Sequence, residues 1–96
     1  MKVFISQPMR GKSKKQIMEE RQKAIDYIES TFEDVTIIDS YFNTLEISNP
    51  LSYLGESLKL LSNADIVFFI GDWRKARGCR IEHECCLDYG IRREYI

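Results

Sequence analysis

Short apolar runs alternate with longer amphipathic segments along the chain, and this alternation predicts strands and helices in turn. The first run, residues 3–5, ends in a loop with Pro and Gly and is typical of a buried strand. Ser13 and Gln16 then form a capping box, and apolar residues recur at helical spacing behind it. A helix is therefore expected from about residue 13 to 30, with Arg21 as the polar exception on its apolar stripe.

The next two elements repeat the pattern. A β-branched run at residues 35–38 predicts a second strand. Asn49 and Pro50 are an N-cap and a first helical residue, which predicts a helix to about residue 63. Its apolar stripe is formed by leucines, namely Leu51, Leu54, Leu58 and Leu61.

Three further elements complete the pattern. The continuous apolar run at residues 66–70 predicts the third and most buried strand. A helix is expected at residues 78–89, where Gly90 is the C-terminal stop, and residues 91–96 supply a last short edge strand. The inward positions expected on that helix are Ile81, Cys85 and Tyr89.

This order of elements predicts an α/β fold, with helices on both faces of a mostly parallel sheet of four or five strands. Such three-layer folds bind ligands beyond the carboxyl ends of their strands. That rule indicates two loops, at residues 7–12 and 71–77.

Composition and charge narrow the classes of protein. With 96 residues, one domain spanning 1–96 is expected. Because 14 basic residues oppose 15 acidic ones, a nucleic-acid partner bound by a broad basic face is not expected. The three cysteines favour reduced thiols and a cytoplasmic protein. No apolar run is long enough to cross a membrane, and the N-terminal one is too short for a signal-peptide core.

The first of the two loops carries Gln7, Arg10 and Lys12 into the start of a helix. Free backbone N–H groups and the helix dipole favour a phosphate or a carboxylate there, and the two cations add charge. The alternative is a solvated polar loop. A nucleoside triphosphate hydrolase is not expected, because the loop has no Walker pattern.

The second loop and the helix after it hold Asp72, Trp73 and Glu82. The indole offers a face on which a base could stack, although it could equally be a hydrophobic plug over the sheet. Glu82 lies in the first predicted turn, where the dipole favours the ionised form that a nucleophile requires; the alternative is a surface acid.

A metal site is not expected, and neither is a cofactor. Cys79, His83 and Cys86 share one helical face, but structural zinc normally takes four ligands and no second pair is present. Cys85 and Cys86 are interpreted as small core residues.

Three segments carry a resemblance to a known family: residues 4–11, the Ala64-Asp65 pair, and Gly78 followed four residues later by Glu82. Together they resemble the nucleoside 2-deoxyribosyltransferase superfamily. The loop formed by Met9, Arg10, Gly11 and Lys12 is similar to the phosphate-side loop of 2′-deoxynucleoside 5′-phosphate N-hydrolases.

The resemblance implies a flavodoxin-like sheet and cleavage of an N-glycosidic bond, with Glu82 attacking C1′ of the sugar. It also implies that a neighbouring subunit completes the site.

The chain departs from the family pattern at four positions. Phe4 stands where the enzymes have a tyrosine, and Ser57 stands where they have an aspartate that acts on the sugar and the leaving base. Ala76 and Glu84 replace residues that are often polar and often glycine in the family. Asp72 and Glu56 are candidates to replace the missing acid.

The function expected is therefore cleavage or transfer of a nucleoside or nucleotide N-glycosidic bond. The alternatives are a non-catalytic nucleotide-binding module and an interaction protein with an inherited fold. The catalytic candidates are Glu82 and Asp72. The substrate-binding candidates are Phe4, Gln7, Met9, Arg10, Gly11, Lys12, Ser57, Trp73 and Gly78.

A homo-oligomer, a dimer or a dimer of dimers, is also expected. Residues 39–49 display apolar side chains that so small a core has little room to cover. The alternative is that these side chains fold back over the second helix. The apolar residues concerned are Tyr41, Phe42, Leu45 and Ile47.

Overall fold

A computed structural model describes residues 1–41 and 49–96. Four strands form one parallel sheet in the order β2-β1-β3-β4. In chain order the elements are β1 (Lys2–Ser6), α1 (Lys14–Thr31), β2 (Thr36–Ile37), α2 (Pro50–Leu61), β3 (Ile66–Phe69), α3 (Arg77–Tyr89) and β4 (Arg92–Tyr95), with a short 3-10 helix (Trp73–Lys75) before α3. The α/β class and the flavodoxin-like parallel sheet expected from the sequence are confirmed.

Two hydrophobic clusters cover the two faces of the sheet, because successive strand residues point to opposite sides. On one face Val3 and Ile5 pack with Ile28 of α1. On the other face Phe4 packs with Leu61 of α2 and Cys86 of α3. The molecule is thus a three-layer sandwich, with α1 on one side and with α2 and α3 on the other.

Local sequence signals set the helix ends. The Ser13–Gln16 capping box is present, with both reciprocal hydrogen bonds formed. Asn49 caps α2 by accepting from the Ser52 N–H at 2.8 Å, and Gly90 ends α3 in the left-handed conformation at φ 67°. These three predictions from the sequence are confirmed.

The inward faces of two helices differ from those expected. On α3 the buried residues are Cys79, Glu82 and Cys86, whereas Ile81 is 37% exposed and Tyr89 is 82% exposed. The physical reason is that hydroxyl groups on β1 and α2 satisfy the Glu82 carboxylate, so the helix can bury that side instead of its more apolar one. On α2 the expected stripe lacks Leu51, which is 76% exposed.

In the described part of the chain, no helix is both long and apolar enough to cross a membrane.

Candidate functional site

The Glu82 carboxylate is the centre of a buried polar cluster beyond the carboxyl end of β1. The residue is 5% exposed. The Ser6 hydroxyl donates to its Oε1 at 2.7 Å, and the Ser57 hydroxyl donates to its Oε2 at 2.6 Å. Each carboxylate oxygen therefore has one fixed donor and keeps a further lone pair for another contact.

Three elements bring these side chains together. Ser6 is the last residue of β1 and pairs in register with Phe69 of β3, so it lies in the middle of the sheet. Ser57 is on the buried face of α2 together with Leu61, one helical turn away. Glu82 reaches both serines from α3, so neither serine hydroxyl is left unpaired.

Burial dominates the electrostatics of the cluster. It raises the pKa of Glu82, while the hydrogen bonds from Ser57 and Ser6 oppose the shift. Burial also raises the pKa of Cys79 to about 11, opposed by the Ser6 hydroxyl and reinforced by the charge of Glu82. The Cys79 side chain is therefore a neutral thiol at neutral pH, which is a poor nucleophile.

The loop after β1 turns tightly and then enters α1. The Lys12 N–H donates to the Met9 carbonyl at 3.2 Å across Gly11, whose φ of 80° suits the third position of such a turn. The Lys12 ammonium forms an ion pair with Glu20 at 2.8 Å, whereas Arg10 is exposed. Of the two cations expected to bind a phosphate, Lys12 therefore already has a counter-ion, and Arg10 is the one exposed to solvent.

Trp73 lies over the ends of β3 and β4 in an aromatic cluster. Its ring is 4.4 Å from the His83 ring and 5.1 Å from the Phe69 ring, centroid to centroid, with Tyr95 stacked at 5.6 Å. The Arg74 guanidinium lies 5.2 Å from the indole centroid. The indole therefore packs against the end of the sheet, but it is only half-buried and also lines an open hollow, so base stacking stays a prediction.

Two open hollows lie at the carboxyl edge of the sheet, and Asp72 lines both. One, of about 300 Å³, is bounded by residues 71–75. The other, of about 340 Å³, lies between Lys12, Lys23 and Ile96. Glu82 lines neither hollow, so the buried cluster is separate from these two surface hollows.

The structure brings only some of the predicted site residues to Glu82. Ser57 contacts its carboxylate, and Gly78 lies in the first turn of α3 near Leu54. Phe4 is 1% exposed and packs in the core, away from open space. Met9 accepts a hydrogen bond from the Tyr53 hydroxyl at 3.1 Å.

The candidate acids lie apart from the cluster. Asp72 is exposed, and among the described residues no hydrogen bond or ion pair joins it to Glu82. Glu56 is exposed and pairs with Lys59 at 3.1 Å. In the described ranges, the Glu82 carboxyl therefore has serine neighbours and no second carboxyl in contact.

Sequence reasoning missed Ser6 and Cys79 as neighbours of Glu82, and it assigned no role to Arg21, which is also buried. Ser6 could have been found from strand alternation, which puts it on the same face as Phe4. Arg21 interrupts an apolar stripe and is 5% exposed, so its polar side chain within that stripe was a signal. Cys79 gave no comparable signal.

The Cys79, His83 and Cys86 side chains do not converge on one point. Both thiols are buried, while the His83 Nε2 lies 2.7 Å from the Tyr95 hydroxyl. Across residues 1–41 and 49–96, no group of three or more His, Cys, Asp or Glu side chains is arranged to hold a metal ion.

These features define a three-layer α/β protein with a hydroxyl-bound glutamate at the carboxyl end of its central strand. A scan of protein-family models, a search of curated proteins and a search of solved structures found no match to this chain. The resemblance to the nucleoside 2-deoxyribosyltransferase superfamily remains a prediction from the sequence.

Proposed function

We propose that this protein cleaves or transfers the N-glycosidic bond of a nucleoside or nucleotide, with Glu82 as the nucleophile. The observation that supports the proposal most directly is the orientation of the Glu82 carboxylate by the Ser6 and Ser57 hydroxyls. A carboxylate held in one orientation can attack a sugar carbon without first losing its own rotational freedom.

The reaction would proceed in two displacements. One Glu82 oxygen bonds to C1′ as the C1′–N bond breaks, and the bonding pair goes to the base nitrogen, which takes a proton from solvent. Water, or the nitrogen of a second base, then bonds to C1′ and loses a proton. The C1′–O bond to Glu82 breaks, and the carboxylate is restored.

The pKa of Glu82 sets the pH range in which the first displacement can occur. Only the ionised carboxylate is a nucleophile, and burial raises the pKa of Glu82. The rate should therefore fall as the pH drops through a value higher than that of an ordinary glutamate.

A base-release assay tests the proposal. Purified protein is incubated with deoxynucleosides, ribonucleosides and their 5′-monophosphates, and free base is measured by chromatography. We expect Glu82→Gln to reduce base release by at least about 1,000-fold, because it removes the nucleophile. Glu84→Gln is the matched control, since Glu84 is an exposed carboxylate on the same helix, and it should retain the rate. Base release that survives in Glu82→Gln would refute the role of Glu82.

A binding module without turnover is the second candidate. It is favoured by the absence of a second carboxyl in contact with Glu82 in the described residues, because base departure benefits from an acid. The same assay separates the two candidates. Nucleotide binding by calorimetry without base release supports the module, and neither binding nor release excludes both.

A further inference from the structure

Arg21 is a buried cation that uses only part of its guanidinium. It lies on α1 and is 5% exposed. Its Nη2 donates to the Ile38 carbonyl at 3.0 Å, whereas its Nη1 is buried and has no hydrogen-bond partner among the described residues. No carboxylate of those residues forms an ion pair with it. A buried charge in this state is costly unless a further group satisfies it.

Gln7, in the loop after β1, has a buried acceptor without a partner, and its side chain reaches the same helix. It is 6% exposed, and its Nε2 donates to the Ile17 carbonyl at 2.7 Å. Its Oε1 is buried with no partner in the part of the chain that the structure describes. Ile17 and Arg21 are four residues apart on one face of α1, and helical side chains lean toward the N-terminus. The Gln7 amide therefore adjoins the turn of α1 between Ile17 and Arg21, and Arg21 is the residue that carries the unpaired donor.

We propose that Arg21 and Gln7 form a binding site for an oxyanion that also carries an O–H group. The anionic oxygen accepts from Nη1 of Arg21, and the O–H donates to Oε1 of Gln7. Inorganic phosphate has this chemistry at neutral pH, and so does a hydroxycarboxylate, whereas a phosphate monoester has it only in its singly ionised form, below a pKa of about 6. The site lies beyond the carboxyl ends of β1 and β2, where open α/β sheets bind ligands.

This site does not depend on the proposed glycosidic activity. Among the described residues no hydrogen bond or ion pair joins Arg21 or Gln7 to Glu82, and anion binding is measured without any turnover. Asp39 is the main competitor, because its nearby carboxylate raises the pKa of Arg21 while burial lowers it. Asp39 is exposed, and its Oδ1 accepts from the Tyr41 N–H at 3.4 Å.

Calorimetry on the full chain at neutral pH tests the proposal with three probes: inorganic phosphate, sulfate and lactate. Sulfate has no O–H to donate, so phosphate should bind at least about 10-fold more tightly. Lactate, a hydroxycarboxylate, shows whether the site prefers phosphate or carboxylate. Equal affinity for phosphate and sulfate, or no binding of any probe, would overturn the proposal and would leave water as the partner of both groups.

Variants assign the binding to these two residues. Arg21→Met should abolish binding of phosphate and sulfate, and Gln7→Met should remove the preference between them. Lys15→Gln, which removes an exposed cation of α1 that has no part in the site, should change neither affinity. Loss of binding in Arg10→Gln but not in Arg21→Met would assign the anion to the loop and refute the site.

A second variant covers the case in which Arg21→Met does not fold, as checked by circular dichroism. Asp39→Asn removes the competing negative charge and should tighten phosphate binding several-fold. Unchanged or weaker binding in this folded variant contradicts the proposal. In Glu82→Gln the phosphate affinity should stay unchanged, so failure of this site and failure of the proposed activity give different results.

Discussion

At the scale of single residues, the Glu82 carboxyl is where burial and hydrogen bonding oppose each other. Desolvation disfavours its charge, and the Ser6 and Ser57 hydroxyls favour it. Desolvation is the larger effect, so the pKa is raised. Such an arrangement is unfavourable for stability at neutral pH and is typical of functional sites.

A pH series of unfolding experiments tests this balance. Because the folded state holds the Glu82 proton more tightly, the free energy of unfolding should fall as pH rises from the ordinary value near 4.5 to the raised pKa. Each unit of pKa difference contributes about 1.4 kcal/mol. Glu82→Gln cannot ionise, so its stability relative to the native chain should increase across this window in urea denaturation. Glu84→Gln is the control, and parallel pH profiles for the native chain and Glu82→Gln would contradict the prediction.

At the scale of elements, local signals at the helix ends determine where the chain turns. Gly90 is left-handed at φ 67°, with open space around the position of a Cβ atom. Gly55 also has open space around it but lies inside α2. The same substitution at the two positions should therefore act with opposite sign, because backbone conformation alone distinguishes them.

Gly90→Ala should destabilise the protein by about 1 kcal/mol, since a side chain strains the left-handed conformation. Gly55→Ala should stabilise it by about 0.5–1 kcal/mol, since alanine favours a helix over glycine. Both values can be read from chemical denaturation with an unchanged slope. Effects of the same sign would contradict the prediction that the left-handed backbone at Gly90 makes a side chain destabilising there.

At the scale of the whole molecule, the expected association remains a prediction. The molecule extends 36 × 31 × 23 Å, and the two hollows at the sheet edge are open, so a small ligand would be poorly enclosed by one chain. Of the four residues expected to line an interface, three lie outside the described residues: Phe42, Leu45 and Ile47. Tyr41 is described and is half-buried.

Light scattering at micromolar concentration tests the association. A dimer or a larger assembly of the 11.3 kDa chain is expected, and a monomer would end the prediction. Phe42→Asp should convert the assembly to monomers if the loop lies in the interface. Tyr89→Lys is the control for exposed apolar residues elsewhere, since Tyr89 is 82% exposed on α3, and it should leave the assembly intact.

The sequence by itself determined the elements and the class of fold. The short apolar run at residues 3–5, the capping box at Ser13 and the glycine at position 90 are all local signals, and local backbone preferences act over a few residues. Glu82 was also selected from the sequence, on its place at the start of a helix and on the family resemblance.

Only the tertiary structure decided which side of α3 is buried and what surrounds Glu82. Periodicity counts apolar residues and therefore favoured Ile81 over Glu82. The deciding partners are Ser6 and Ser57, which are 76 and 25 residues away along the chain. Likewise, the Ile38 carbonyl that binds Arg21 comes from the residue that follows β2. Contacts between distant residues depend on how the layers pack, and no local pattern in the chain encodes that packing.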